Sequence, residues 1–465
     1  MKVISDLCKY FIVRVINLMR KIIVILFIML IKNAISYDLV YAYNHALVFN
    51  ADYLQKIAQN IASKEFEVQG RSSLLPQIGV GGNITENYFA MNSLNQSMMY
   101  HQTGINGNLS QVIFDFGKFS QYAKSKYQTQ IGQLQLDNAK QLLMVNVTKS
   151  YFDVLYAKNT LDAVKLTKEA FYEQYTKAQK SFDVGTVTIA DVNDAKSSYD
   201  SSVAQHLTSQ NDYIYKKNIF SNLTGLSADD ISPLIDNIKL QDLKPDSIEN
   251  WDFMAKNGNI NIKIAKMQLN MAKEDINIAD SGHLPVLSVN GSYNRLGDAG
   301  IDSSDPYFRT TAALPGSPFA SQTNASVGLQ LSIPIYNGGA ISSKVRQAVA
   351  NYDASYQQLL STSRLTDQDT TNAYLQVENG VSIVKAQTQA LKSAELKLKS
   401  DKTGYQIGLR NSIDLVNSQK NYYQTIQNYY QSQYQYLLNR VQLMYLIGKL
   451  DIVFLQNIND NIKNK

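Results

Sequence analysis

Four stretches of the chain alternate apolar and polar residues with the period of two that a half-exposed β-strand requires. In 77–88, Ile78, Val80, Ile84 and Tyr88 alternate with Gln77, Gly79, Asn83, Thr85 and Asn87, and Glu86 interrupts the apolar side. In 286–294, Leu287, Val289 and Tyr293 alternate with Ser288, Asn290, Ser292 and Asn294. In 326–333, Val327, Leu329, Leu331 and Ile333 alternate with Ser326, Gly328, Gln330 and Ser332. A weaker version, 105–113, sets Ile105, Leu109 and Ile113 on one side. The four predict two β-hairpins, 77–115 and 286–335. Apolar outside and polar inside, at about ten residues per strand, is the pattern of a transmembrane β-barrel. A soluble sandwich with one wet face would alternate in the same way. Four strands in a chain otherwise so helical argue against it. The loops 89–104 and 295–325 are expected to face outside, with His101 in the first.

Around the strands the period changes. No proline interrupts 118–181 or 340–405, so each predicts a helix of about 95–100 Å. Shorter helices, 189–222 and 412–447, follow across turns at 182–190 and 406–413. Both long stretches carry a heptad seam, which means coiled-coil packing against neighbours. In the second, Val377, Val384, Leu391 and Leu398 are interleaved with Ala373, Gly380, Gln387 and Ala394. In the first, Val147, Val154 and Leu161 are interleaved with Ser150, Ala157 and Val164. Gly132, Gly380 and Gly404 should each weaken these helices locally by about 1 kcal/mol relative to Ala.

The pattern occurs twice. Leu75-Pro76 recurs as Leu284-Pro285, and Phe114-Asp115-Phe116-Gly117 as Tyr336-Asn337-Gly338-Gly339. From there the offset settles: Gly185 matches Gly408, Asp191 matches Asp414, Tyr199 matches Tyr422, and Leu223-Thr224-Gly225 matches Leu446-Ile447-Gly448. The first unit is 37–222 and the second 249–448, each reading helix, hairpin, long helix, helix. A linker, 223–248, joins them and ends in a helix-start signal of Pro245, Asp246 and Glu249 before Trp251. The tail 449–465 is expected to be polar and irregular.

The N-terminus accounts for the charge. Lys and Arg number 44 against 39 Asp and Glu; Lys2, Lys9, Arg14, Arg20, Lys21 and Lys32, opposed in 1–36 only by Asp6, supply that excess. The rest is balanced and gives no sign of a nucleic-acid surface. Met19-Arg20-Lys21, the apolar run Ile22–Ile31 and Ala34-Ile35-Ser36 read as a secretory signal peptide over 1–36. Either translation starts at Met19 or the leader is long. Arg14 and Asn17 break the alternative, a membrane anchor from Tyr10. The only cysteine, Cys8, lies in this leader, which leaves no disulfide, thiolate site or lipid-bearing cysteine after it. No later run reaches 18 apolar residues, so a membrane role must come from the strands.

Four strands cannot close a membrane barrel, and an open edge in lipid costs several kcal/mol per unpaired backbone group. Copies must therefore share one: a dimer would give eight strands, a trimer twelve, a tetramer sixteen. Each hairpin joins long helices at one end, so the helices must project together from one side of the membrane.

At this point the duplicated unit resembles the TolC family of outer membrane efflux proteins. The residues that carry the likeness are Leu74-Leu75-Pro76-Gln77, the turn Pro334-Ile335-Tyr336-Asn337-Gly338-Gly339, and the repeated Gly-x5-Asp of Gly185/Asp191 and Gly408/Asp414. The resemblance covers essentially all of 38–450. The resemblance implies an α+β membrane protein: a trimeric 12-stranded transmembrane β-barrel continued into a long periplasmic α-helical barrel, each protomer an internal duplication. It implies a homotrimer in outer membrane lipid that works with an inner-membrane transporter and a periplasmic adaptor protein. It also places the constricted entrance at the helix turns. There Tyr405 and Arg410 would bond to the neighbouring turn near Asp191 and hold it shut, and Asp414 would face the lumen as an acidic ring attracting cations. The family often has a second acid one turn on; Asn417 stands there, so a weaker cation preference is implied.

The local alternative is capping. Thr188 with Asp191, and Asn411 with Asp414, both fit a capping-box spacing, and an acid in a helix's first turn is favoured by the dipole. Gly185 and Gly408 fit C-cap glycines, and the turns they make could also be what a partner grips. No catalytic or cofactor motif stands out. His45, His101, His206 and His283 have no metal spacing, and no phosphate loop, Gly-x-Ser-x-Gly or His-Glu-x-x-His occurs. A passive exit duct is expected rather than an enzyme. Its main rival is a trimeric coiled-coil stalk adhesin or adaptor without a pore; a plain diffusion porin would not need helices this long.

Overall fold

The structure, a computed structural model, describes residues 37–91, 96–233, 238–297, 300–302 and 321–460. The leader 1–36 with both its candidate starts, most of the loop 295–325 and residues 461–465 lie outside them.

The first unit opens with α1 (Leu39–Phe49) and α2 (Ala51–Ser72), followed by β1 (Gln77–Met91) and β2 (Gln96–Phe114). Next come α3 (Phe116–Asp183) and α4 (Ile189–Thr224). The second has α5 (Ile248–Gly258), α6 (Ile260–Asp280), β3 (Val286–Leu296), β4 (Gly300–Asp302) and β5 (Gln322–Ser332). It continues with α7 (Ala340–Gln406) and α8 (Ser412–Leu446), and α9 (Ile452–Asn459) follows.

All strands pair antiparallel in the order β1-β2-β3-β5, with short β4 extending the pairing along β2. The register sorts the side chains by face, because directly paired residues point the same way. Ile78, Leu109, Gly291 and Val327 form one row, and Val80, Gly107, Tyr293 and Ala325 another. On the opposite face Gly79, Asn108, Ser292 and Ser326 line up, then Gly81, Asn106, Asn294 and Asn324. This second face is a polar ladder: Ser110 Oγ donates to Asn290 Oδ1 at 3.1 Å, and the Ser292 and Ser326 hydroxyls lie 2.8 Å apart. Among the described residues no helix packs across either face. The apolar face is bare, with Ile78 78% and Leu329 74% exposed. A soluble sandwich would bury that face under a second sheet.

The strands outrun the expected loops. β1 reaches Met91 and β2 begins at Gln96, so His101 stands in a strand opposite Glu86 rather than in a loop. Pairing needs only backbone groups, so the ladder continues beyond the apolar band into residues whose side chains are mostly polar.

The helices form a curved layer. Near the sheet the order of neighbours is α2, α3, α6, α7; farther away it is α4, α3, α8, α7. Most of the heptad positions pack inward: Val147, Val154, Val164, Val377 and Val384 are buried with Ala157, Ala373 and Ala394, while Leu161, Gln387, Leu391 and Leu398 are half-buried. Gly132 serves close approach, since a Cβ there would fall 1.9 Å from Ser63 Oγ on α2. The thickest core lies midway, where α1, α5 and α9 wrap the long helices around Tyr151, Phe220, Trp251, Tyr436 and Leu437.

The tail is not irregular over its described part. α9 buries Leu455 and Ile458, and Asn459 Oδ1 accepts from the Leu39 amide at 3.0 Å while its Nδ2 donates to Asp38 Oδ2 at 3.1 Å. The apolar run Ile452-Val453-Phe454-Leu455 is too short to show a helical period.

Candidate functional site

The two turns farthest from the sheet are built alike. α3 ends with Gly185 at φ 73° and α7 with Gly408 at φ 74°, the left-handed region that a Cβ disfavours. Thr186 N donates to Ser181 O at 2.8 Å, and Leu409 N to Gly404 O at 2.8 Å, the long bonds of a Schellman cap. Apolar side chains stand exposed at both tips, Val184 and Ile189 on one, Ile407, Leu409 and Ile413 on the other.

Beyond the glycines the tips diverge. At the first, Thr188 and Asp191 form a complete capping box: Thr188 N donates to Asp191 Oδ2 at 2.9 Å, and Asp191 N to Thr188 Oγ1 at 3.3 Å. The Thr188 hydroxyl also donates to Asp191 Oδ2 at 2.7 Å. These bonds hold the Asp191 carboxyl below the usual carboxylate range.

At the second tip only half of that box forms. Asp414 N donates to Asn411 Oδ1 at 2.7 Å. The Asp414 carboxylate turns instead to Arg410, with Oδ2 3.7 Å from Nη1. Arg410 Nε lies 3.6 Å from Asp401 Oδ1 on α7. The bonds described for Asp191 and for Arg410 thus lie within their own hairpins. Tyr405 is half-buried one turn before Gly408, and Asn417 is exposed on α8.

Sequence reasoning passed over Asp401. Its side chain bridges the two helices of the hairpin: Oδ2 accepts from Lys397 Nζ at 2.6 Å and from the Ser418 hydroxyl on α8. Lys397 Nζ also donates to Ser418 Oγ at 3.1 Å. Asp401 is 3% exposed, and the Lys397 and Ser418 bonds, with Arg410 nearby, hold its carboxyl below the usual range. The Lys397/Asp401 spacing of four was visible; the partner across the turn was not.

The histidine farthest up the chain is structural: His45 Nδ1 donates to the Thr224 carbonyl at 2.6 Å. Among the described residues no cluster of three or more His, Cys, Asp or Glu side chains could hold a metal. No described helix is long and apolar enough to cross a membrane, which leaves the sheet untouched as a membrane element.

Residues 42–226 and 254–449 match the family described as outer membrane efflux protein, one match on each unit. The outer membrane protein TolC of Salmonella enteritidis is 28% identical over 429 residues, covering 91% of this chain and 84% of that protein. The alkaline protease secretion protein AprF of Pseudomonas aeruginosa is 22% identical over 442 residues, covering 93% and 89%. In fold, the chain is similar to the crystal structure of the Campylobacter jejuni CmeC outer membrane channel. The TM-score is 0.75 at 18% identity, over 91% of this chain and 90% of that one.

Proposed function

This chain belongs to the outer membrane efflux protein family, and from that premise we propose that three copies build one exit duct through the outer membrane and across the periplasm. The chain is an outer-membrane efflux or secretion channel. The observation that carries the reading is the sheet: four long strands, bare on both faces and open at β1 and β5.

An unpaired edge is intolerable in lipid, so β1 of one copy pairs with β5 of the next. Three copies close a twelve-stranded barrel with its apolar rows toward lipid and its Asn/Ser/Gly ladder toward the lumen. The flanks agree. α2 and α4 lie on the β1 side with Ile61, Phe66, Leu207 and Ile214 exposed; α7 lies on the β5 side with Tyr356, Leu365, Ile383 and Leu396 exposed. Closing the ring covers both.

The duct itself is passive and is recruited by an inner-membrane transporter through a periplasmic adaptor that grips the tips at Gly185 and Gly408. Arg410 and Tyr405 latch onto the neighbouring turn near Asp191, and Asp414 lines the mouth. The relatives include a protease secretion protein as well as TolC, so the cargo is set by the transporter.

Purified protein should cross-link to a trimer and no further, and should conduct ions in a planar bilayer. Arg410→Ala should raise single-channel conductance by loosening the latch. A stable lone subunit with a complete barrel would overturn the shared-barrel reading, and a trimer that never conducts would favour the stalk adhesin instead.

A further inference from the structure

The second tip contains a charge network that the first lacks. At the positions of Lys397, Asp401, Arg410 and Ser418 the first unit carries Gln174, Ala178, Val187 and Ala195. The network is therefore one-sided, present on α7 and α8 alone. Arg410 stands between two carboxylates, at 3.6 Å from Asp401 and 3.7 Å from Asp414. These differ in surroundings: the Asp401 side chain is 4% exposed and that of Asp414 41%. A guanidinium shared in this way neutralises neither acid fully, and its attraction to the buried one is less screened by water.

We propose that Asp401 is a positioning residue that sets the ion preference of the duct by drawing Arg410 back from Asp414. The backbone of α7 places Asp401 beside α8, where Lys397 and Ser418 bond it. Arg410 reaches from the turn to that fixed charge. Asp414, half-buried in the first turn of α8, then presents a negative charge that Arg410 offsets less than it would with Asp414 as its sole partner. Three copies repeat the effect around the mouth. This inference rests on the reading that Asp414 faces the mouth.

The test measures reversal potential across a planar bilayer in a potassium chloride gradient, using the full-length trimer. Asp414→Asn should lower the cation preference. Asp401→Asn, nearly isosteric, should lower it in the same direction, because Arg410 then settles on Asp414. In an Arg410→Ala background the Asp401→Asn shift should shrink, a non-additivity expected only if the two residues are coupled. Ser418→Ala, which removes a helix-to-helix bond but keeps the Asp401 charge, should leave the preference nearly unchanged. If Asp414→Asn has no effect, the mouth reading falls and this inference with it. If Asp414→Asn shifts the potential and Asp401→Asn does not, the inference alone is overturned. It is likewise overturned if the Asp401→Asn shift is the same with and without Arg410, or if Ser418→Ala reproduces it. Trimers lost in Asp401→Asn would move the same comparison to Lys397→Met. That variant removes the cation that competes with Arg410 for Asp401 and should strengthen the cation preference; no rise overturns the inference.

Discussion

Gly185 and Gly408 do the same work at both tips, while their neighbours have parted. Each glycine reverses the chain, and neither has a heavy atom near where its Cβ would be, so their role is conformational. Thr188 and Asp191 then complete a reciprocal cap that Asn411 and Asp414 do not, because Arg410 engages the Asp414 carboxylate. Thr188→Ala should cost about 1 kcal/mol locally, read as a roughly fivefold faster amide exchange at the start of α4. The pH dependence follows from the depressed Asp191 carboxyl. Its contribution is present above the unfolded-state value and is lost as pH falls through the lower folded value. Exchange protection at the start of α4 should therefore fall in acid for the native chain and much less for Thr188→Ala.

At the scale of elements, the duplication reaches into contacts that sequence offsets did not reveal. α1 meets α2 at Asn50, and α5 meets α6 at Asn259; each asparagine caps the helix it opens. Asn259 Nδ2 donates to the Leu446 carbonyl at 2.8 Å, and Asn50 Nδ2 to the Leu223 carbonyl at 3.5 Å, the matching residue of the other unit. Both tie the start of a unit to the end of its last helix. At the second corner the backbones nearly touch, and a Cβ on Gly258 would fall 2.0 Å from Ile447 O. Asn259→Ala removes a cap and orphans a buried carbonyl, so it should cost about 2–3 kcal/mol. Asn50→Ala, with its longer bond, should cost less. Urea unfolding of the purified protein followed by helical circular dichroism compares the two.

For the whole molecule the governing feature is a sheet whose apolar rows are bare and whose outer edges are unpaired within the single chain. On the proposed reading those rows face lipid and those edges pair with neighbouring copies. Leu329→Arg then places a charge on the lipid face and should cost about 2–4 kcal/mol per copy near the bilayer midplane. Asn290→Arg, on the ladder face, should be tolerated and should change conductance instead. The yield of heat-modifiable assembled protein in outer-membrane fractions separates these outcomes.

The local periods were legible in the residues. Alternation in 77–88, 286–294 and 326–333 marked which side chains share a face, since a strand allows only two. The seam through Val377 and Val384 marked the buried stripe, since a coiled coil repeats every seven residues. Tertiary structure decided what lies far apart in the chain. It decided that β2 pairs with β3 and joins the two hairpins. It decided that α9 closes on Leu39, and that Ser418 meets Asp401 across a turn. A period records only the environment of one helix or strand. Which distant partner fills that environment depends on packing between elements, and on side-chain atoms such as Asn259 Nδ2 and Asp401 Oδ2 that bond once the elements have met.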